Sequence, residues 1–292
     1  MLNETPIVFE CLSKRLVGIL HKPESKPSYN LGVLILVGGG QYRVGSHRQF
    51  VLLARYLAER GVSVMRFDYR GMGDSEGDQI SFEECEPDLK SAIDKFYAEC
   101  PELDGVVIWG LCDAASAAVF YAHQDPRVKG LVLLNPWVNS EDGEAKAYVK
   151  HYYLSRLLNG HMWRKILTGK FDFKNSFADF FHKLKLIVRK QKNTTISQRD
   201  KTLFNKNISI ADRMFEGLSR FNGKTLIILS GNDLTANQFR DLTTGNPEWK
   251  KLMKSPMISD HIIDGADHTF SSNIWKEKVE SLTDEWLKSI GS

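Results

Sequence analysis

Cysteine is scarce in this sequence. Its 292 residues include four cysteines, none of them in a C-x-x-C pair, so neither a zinc site nor a disulfide framework is indicated. Long hydrophobic runs are also missing: Gly32–Val37 and Val106–Trp109 are far shorter than the roughly 20 apolar residues of a membrane-spanning helix. The N-terminus lacks a basic segment followed by a long apolar one. These absences predict a soluble, cytoplasmic protein without a membrane span.

A strong charge imbalance is absent too. The net charge of +3 is too small to indicate a nucleic-acid partner, and no basic-aromatic motif for nucleic acid is present. The charge is nevertheless uneven, because residues 139–220 contain 17 lysines and arginines against 8 aspartates and glutamates. With 42% hydrophobic residues, the chain is long enough to bury one large core.

Short aliphatic and β-branched runs alternate with segments that have an apolar face at helical spacing. This pattern is typical of an α/β fold with a mostly parallel central sheet flanked by helices. The predicted strands are Pro6–Glu10, Arg15–His21, Gly32–Val37, Ser63–Phe67, Gly105–Trp109, Lys129–Leu134, Thr225–Leu229 and Met257–Ile263. The predicted helices are Phe50–Arg60, Phe82–Glu99, Ala114–His123 and Ile274–Ile290.

Residues 139–220 break this alternation. Aromatic and aliphatic side chains recur there at helical spacings, and no strand pattern is present. An unstructured loop of this length is uncommon inside a compact domain. We therefore predict a helical cap at residues 139–220, inserted into a core formed by residues 1–138 and 221–292.

The apolar strand that ends at Trp109 continues into Gly110-Leu111-Cys112-Asp113-Ala114 and then into a helix of small residues. This resembles the nucleophile elbow of α/β-hydrolases, in which small residues on either side of the nucleophile let strand and helix approach closely. Cysteine replaces the usual serine, as it does in dienelactone hydrolases of this superfamily. A thiolate near a helix N-terminus is a strong nucleophile. The alternative is a buried structural cysteine.

Two later strands lead to the partners that such a nucleophile requires. Asp233 follows the strand Thr225–Leu229, and His268 follows the last predicted strand. In this superfamily the chain order is nucleophile, acid, histidine. We predict that His268 is the general base and that Asp233 orients it. Asp264 and Asp267 compete with Asp233, but they stand so close to the histidine that they are better interpreted as turn residues.

Acyl transfer also requires backbone donors for the tetrahedral oxyanion. The amide of Asp113 and that of Gly40 or Gln41, in the glycine run after the third strand, are predicted to supply them. A plain tight turn is the alternative for this run, and no Gly-Lys-Ser/Thr follows that would indicate a phosphate loop. Tyr42, Arg43 and Trp137 are candidate substrate contacts, although an exposed loop residue is the alternative for Arg43.

Three stretches, 38–50, 67–75 and 109–117, together resemble the exosortase A system-associated hydrolase 1 family. The middle stretch is interpreted as scaffold. Members of that family occur near acyl carrier proteins and acyl-activating ligases, so the resemblance implies a cytoplasmic acyl hydrolase or acyltransferase. The basic side chains of the predicted cap then match an acidic acyl carrier protein or the phosphates of coenzyme A, with a solvated helix face as the alternative. They include Lys183, Lys185, Arg189, Lys190 and Lys192.

The sequence therefore predicts a cysteine-nucleophile enzyme that acts on an ester or thioester through a covalent acyl-enzyme. No metal or organic cofactor is required by this chemistry. Two alternatives remain open: a conventional lipase- or peptidase-like hydrolase, and a non-catalytic hydrolase-fold protein that binds a ligand or partner. The acyl chain, the acceptor and the oligomeric state are not specified by the sequence.

Overall fold

The computed structural model describes residues 3–24, 30–138 and 208–291, and within them all eight predicted strands are present. They form one sheet in the order β1-β2-β4-β3-β5-β6-β7-β8. The pairs β1–β2 and β2–β4 are antiparallel, and every pair from β4 to β8 is parallel. The strands are β1 Asn3–Cys11, β2 Lys14–Lys22, β3 Leu31–Leu36, β4 Val64–Phe67, β5 Gly105–Leu111, β6 Val128–Leu134, β7 Lys224–Ser230 and β8 Ile258–Ile263.

The four predicted helices are also present within the described residues. They are α1 Gln49–Ala58, α2 Glu86–Glu99, α3 Asp113–Ala122 and α7 Asn273–Gly291. The predicted helix Phe82–Glu99 is interrupted at Cys85, which separates a 3₁₀ turn, Phe82–Glu84, from α2. Another 3₁₀ turn, Ser46–Arg48, precedes α1.

Three more helices are present in the described residues: α4 Ile210–Arg220, α5 Leu234–Gly245 and α6 Pro247–Leu252. Helix α4 lies in the segment predicted to be helical, whereas α5 and α6 were not predicted. The start signals of α5 and α6 are nevertheless visible in the sequence. The side chain of Asp233 caps α5, and that of Asn246 caps α6, whose first residue is proline. A threonine-rich α5 and a short α6 lack the long apolar periodicity on which the helix prediction relied.

The central strands are buried on both faces. Leu34 and Leu36 of β3 pack into the hydrophobic core on one side of the sheet, whereas Val33 and Ile35 pack into the core on the other. Side chains of α2, α3 and α4 belong to the first core, and those of α1 and α7 to the second. With both faces covered by helices, the ends of the strands are the places where polar side chains reach solvent and substrate.

Residues Met1–Val138 and Ile210–Ser292 form one compact unit. Helix α4 packs closely against α3 in this unit, since a Cβ built on Gly217 would lie 2.6 Å from the carbonyl oxygen of Val119. The end of the segment predicted as a cap, residues 210–220, is thus part of the core unit. The rest of that segment, with its basic residues, lies outside the described residues apart from 208 and 209, and the cap stays a prediction.

Across the described ranges, the helices are too short or too polar for any of them to traverse a lipid bilayer.

Candidate active site

Three polar side chains follow the carboxyl ends of three parallel strands. Cys112 comes directly after β5, Asp233 follows β7, and His268 follows β8. The carboxyl ends of parallel strands meet at one edge of a sheet, where open α/β sheets bind their ligands. The predicted nucleophile, acid and base are therefore brought to the same edge.

The backbone at Cys112 has the sharp turn predicted for it. Its φ of 61° and ψ of −121° lie in a region that non-glycine residues rarely adopt, and such strain is concentrated at functional sites. The Cys112 amide donates to the carbonyl of Leu134 at 2.8 Å, and the Trp137 amide donates to the carbonyl of Cys112 at 3.3 Å. These hydrogen bonds to β6 and its following loop hold the turn in place.

Gly110 permits this turn because a Cβ at that position would lie 2.7 Å from the carbonyl carbon of Ala114. We expect Gly110→Ala to lower the free energy of unfolding by about 2 kcal/mol, since backbone must shift to admit the methyl group. Urea denaturation measures this change.

Gly245→Ala is the control for the Gly110 variant. Gly245 ends α5, and nothing lies within 4 Å of a Cβ built there. This substitution is expected to leave the stability unchanged or to raise it by up to about 1 kcal/mol. Equal stability losses in the two variants would contradict the close approach at the elbow.

Asp233 serves two partners at once. One carboxylate oxygen lies 3.0 Å from Nδ1 of His268, and the other accepts the Ala236 amide at 2.8 Å, capping α5. The capping hydrogen bond fixes the carboxylate, because its own helix holds one oxygen while the other faces the imidazole. The Asp233 side chain is 9% exposed and that of His268 is 35% exposed, so the pair is partly screened from water.

The turns that contain the acid and the histidine are joined through their backbones. The Gly231 amide donates to Ile263, and the Asn232 amide donates to Ala266, each at 2.9 Å. Gly231 is required for this approach, since a Cβ there would lie 2.8 Å from the nitrogen of Gly265. The acid and the histidine are thus presented from one rigid double turn.

Asp233 and Cys112 both favour the protonated form of the imidazole. The Asp233 carboxylate, by its hydrogen bond, and then the Cys112 side chain, as a second hydrogen-bond partner, raise the pKa of His268 to about 10 against the opposing effect of burial. The imidazole can therefore hold a proton at neutral pH while it contacts the sulfur. A thiolate beside such an imidazolium is an activated nucleophile.

The competing aspartates have other surroundings. Asp267 accepts hydrogen bonds from the amide of Ser271 at 2.9 Å and from its hydroxyl, and these hydrogen bonds lower the pKa of Asp267 despite its partial burial. Asp264 is exposed in the turn before it. Both aspartates thus stand in the turn, as the sequence predicted.

Asp233→Asn separates the two functions of this side chain. Asparagine caps a helix as well as aspartate does, so the thermal stability is expected to stay close to that of the wild type. Loss of the charge that orients the imidazole is expected to lower kcat for 4-nitrophenyl acetate by about 10²- to 10⁴-fold. Asp233→Ala is the comparison: it should lose a similar activity and in addition about 1 kcal/mol of stability. Equal activity of Asp233→Asn and the wild type would exclude Asp233 as the acid.

The glycine loop after β3 engages two of its own amides. The Gln41 amide donates to the Gly38 carbonyl at 3.3 Å within a tight turn, and its role as an oxyanion donor stays a prediction. The Gly39 amide is also engaged, since it donates to the Asp113 carboxylate at 2.7 Å. Gly40 is exposed at the tip of this loop and remains a candidate, together with the amide of Asp113 at the N-terminus of α3.

Arg43 joins the glycine loop to the loop after β4. Its guanidinium pairs with Asp68 and Asp74, and its own amide donates to Asp68 at 2.6 Å. The buried guanidinium of Arg66 donates to the Arg43 carbonyl at 3.0 Å. These contacts give Arg43 a structural role, and its contact with a substrate stays a prediction.

The other two candidate substrate contacts are Tyr42, in the glycine loop, and Trp137, next to the elbow. The Tyr42 side chain is 48% exposed in the glycine loop, and Trp137 is partly buried with its backbone hydrogen-bonded to Cys112. Their contact with a substrate stays a prediction.

The four cysteines differ in accessibility. Cys11, Cys85 and Cys100 are buried, and Cys112 is partly exposed. Cys112 is therefore the thiol that a reagent in solution can reach.

A comparison with protein-family models matches residues 31–240 to the family described as serine aminopeptidase, S33. The match covers more than two thirds of the chain, from β3 through the elbow to Asp233 and α5. This chain belongs to the S33 family of α/β-hydrolases. The family's description names serine, whereas this chain has Cys112 at the turn between β5 and α3.

Solved structures of hydrolases share this fold. The esterase Pf2001 of Pyrococcus furiosus is 16% identical, with a TM-score of 0.67 over 100% of this chain and 92% of that one. A dienelactone hydrolase from Anabaena variabilis is 14% identical, with a TM-score of 0.60 over 99% and 98% of the two chains. Est1E of Butyrivibrio proteoclasticus, solved with ferulic acid, is 16% identical, with a TM-score of 0.62 over 97% and 98%. No curated protein sequence matches this chain significantly.

Proposed function

We propose that this protein is an acyl hydrolase or acyltransferase that forms a covalent acyl-enzyme on Cys112. The observation that carries the proposal is the position of the His268 imidazole, whose Nδ1 lies 3.0 Å from the Asp233 carboxylate and which has the Cys112 side chain as a second hydrogen-bond partner. A nucleophile, a base and a group that orients the base are the parts that acyl transfer requires.

The proposed reaction begins when the Cys112 proton passes to His268. The thiolate then attacks the carbonyl carbon of an ester or thioester, and the amides of Asp113 and Gly40 stabilise the resulting oxyanion. As the tetrahedral intermediate collapses, the bond to the alcohol or thiol breaks and His268 donates its proton to that leaving group. Water, or an alcohol or amine acceptor, then loses a proton to His268 and attacks the thioester carbonyl carbon. The C–S bond breaks, the acid, ester or amide product leaves, and His268 returns the proton to the Cys112 sulfur.

The raised pKa of His268 suits the cysteine better than a serine. An imidazole that keeps its proton at neutral pH is a poor base toward a hydroxyl group, whose own proton is far harder to remove. It is a good partner for a thiolate, which needs a cation beside it, and a ready acid for the leaving group. The replacement of serine by cysteine is thus consistent with the electrostatics around His268.

Peptide hydrolysis is the second candidate, because the family description names an aminopeptidase. Amide substrates require a protonated amine leaving group, which the same imidazolium would supply. Parallel assays with 4-nitrophenyl acetate and with amino-acid 4-nitroanilides distinguish the two. Turnover of anilides at rates near those of the ester would favour the peptidase.

The resemblance to the exosortase A system-associated hydrolase 1 family adds a finer proposal, that the acyl donor is carried by an acyl carrier protein or coenzyme A. The basic residues that would meet such a donor lie outside the described residues. Acyl-CoA and acyl-carrier thioesters therefore belong in the substrate panel beside simple esters.

Intact-protein mass spectrometry tests the acyl-enzyme directly. The wild type is mixed with an acyl thioester or 4-nitrophenyl ester and quenched in acid within seconds. An adduct of the acyl mass should be located on Cys112 by peptide mapping. Cys100→Ala, which removes a buried thiol, should still form the adduct. An adduct that persists in Cys112→Ala, or none with any donor while turnover continues, would contradict the proposal.

A further inference from the structure

A closed ring of hydrogen bonds holds the loop that follows β8 and contains Asp267 and His268, which we call the histidine turn. Asn135 follows β6 directly, and Ser230 is the last residue of β7. The Asn135 Oδ1 accepts the Ser230 amide at 2.8 Å, while its Nδ2 donates to the Ser230 Oγ at 2.8 Å and to the His268 carbonyl at 3.0 Å. The Ser230 hydroxyl in turn donates to the Asp267 carbonyl at 2.7 Å. Two consecutive carbonyls of the histidine turn are thus held by two side chains.

The polar atoms of this ring satisfy one another. Asn135 and Ser230 are both 0% exposed, so each polar atom in the ring would be costly without a partner. The amide of Asn135 has one workable orientation, because a flipped amide would set its oxygen against the His268 carbonyl and its nitrogen against the Ser230 amide. Asn135 also has a φ of 43°, a conformation that asparagine tolerates better than most residues.

We propose that Asn135 and Ser230 are positioning residues that hold His268 in register with Cys112. This inference rests on the proposed function, since it concerns the same histidine. Each side chain donates a hydrogen bond to a backbone carbonyl of the histidine turn and acts through that backbone. We expect replacement of either residue to change the geometry of the Cys112–His268 pair.

The hydrogen bonds from Asn135 and Ser230 are needed because the side chain of His268 is only partly enclosed by the protein. The His268 side chain is 35% exposed, whereas the backbone on which it stands is fixed from below by Asn135 and Ser230. The carbonyls of Ile263 and Ala266, which precede His268, accept hydrogen bonds from the amides of Gly231 and Asn232. Supports from two directions define the position of the imidazole, and misplacement of a catalytic group by about 1 Å can lower a rate about 100-fold.

Alkylation of Cys112 by iodoacetamide tests the inference without any acyl substrate. The rate constant is measured from pH 5 to 10 for the wild type, Ser230→Ala, Asn135→Ala and His268→Ala. Ser230→Ala, which removes one of the two carbonyl contacts, is expected to slow alkylation at pH 6.5 about 10-fold, and Asn135→Ala about 100-fold. Both profiles should move toward that of His268→Ala.

The decisive comparison is made in the absence of the imidazole. Adding Ser230→Ala to His268→Ala should cause no further slowing, because the serine acts only through the histidine. Ser63→Ala is the matched control, because it is the same change at a buried serine far from the site. Ser63 directly precedes β4, at the amino ends of the parallel strands. This variant should be alkylated at the wild-type rate. Should Asn135→Ala not fold, the Ser230 variants complete the test alone.

Three outcomes would overturn the inference, and they are distinguishable. Slow alkylation of His268→Ala together with wild-type rates in Ser230→Ala and Asn135→Ala would exclude the positioning role and leave the proposed function intact. A wild-type rate in His268→Ala would contradict the Cys112–His268 pair, and with it both proposals. Equal slowing by Ser230→Ala with and without His268 would show a merely structural effect.

Discussion

Replacing Cys112 by alanine is expected to lower kcat for esters and thioesters by about 10⁴-fold or more, since removal of a triad nucleophile leaves only binding and oxyanion stabilisation. KM should change little, because the thiol contributes to the transition state far more than to ground-state binding. Steady-state kinetics with 4-nitrophenyl acetate and with an acyl-CoA measure both parameters.

Cys112→Ser supplies the control for this loss. The hydroxyl keeps nearly the same volume at the elbow, so folding and substrate binding should be retained. Its proton is not removed by an imidazole that is itself protonated, and activity well below that of the cysteine enzyme is expected. A serine variant as active as the wild type would indicate that this site works as a conventional serine hydrolase. Full activity in Cys112→Ala would exclude Cys112 as the nucleophile.

The central strands could be predicted from sequence because burial on both faces makes them apolar runs. Gly105–Trp109 and Thr225–Leu229 are examples: the structure extends the first by two residues at its C-terminal end and the second by one residue at each end. Helix α5 could not be found in the same way. Its threonines and short polar side chains do not give a clear apolar face, and the helix is defined instead by the cap at Asp233 and by packing of Phe239 in the core.

The convergence of Cys112, Asp233 and His268 could be predicted because each residue follows a parallel strand, and parallel strands end at one edge. Their catalytic roles stay predictions. The donors of the glycine loop could not be assigned from sequence, since a tight turn uses the Gln41 amide internally and the Asp113 side chain takes the Gly39 amide. Hydrogen bonds of that kind depend on backbone geometry and leave no pattern in the residue order.

The contacts of Arg43, Asn135 and Ser230 could not be predicted for a related reason. An arginine in a glycine-rich loop is consistent with a substrate contact until its acidic partners are located, and Asp68 and Asp74 come from a different loop. Asn135 and Ser230 each stand at the end of an apolar strand, which is the one sequence feature that marks them. Because their partners are backbone carbonyls of residues far along the chain, side-chain chemistry alone does not identify them.

The largest pH effect is expected for His268. Because its pKa is raised to about 10, the imidazolium that protonates the leaving group persists through neutral pH and is lost only as the pH passes about 10. In the wild type, kcat/KM for an ester should therefore fall on an alkaline limb near pH 10, well above the ordinary histidine value of about 6.5. His268→Ala should lower kcat by about 10⁴-fold or more and remove this limb.

His261→Ala is the matched control for His268, since His261 is an exposed histidine on the neighbouring strand β8. It should keep both the rate and the alkaline limb. The Asp233 carboxylate, and then the Cys112 side chain as a second hydrogen-bond partner, raise the pKa of the imidazole, so the limb moves up. Asp233→Asn removes the carboxylate and should move the limb down toward neutral pH. An alkaline limb at about pH 6.5 in the wild type, unchanged by Asp233→Asn, would mean that the carboxylate 3.0 Å from the ring does not stabilise the imidazolium during turnover.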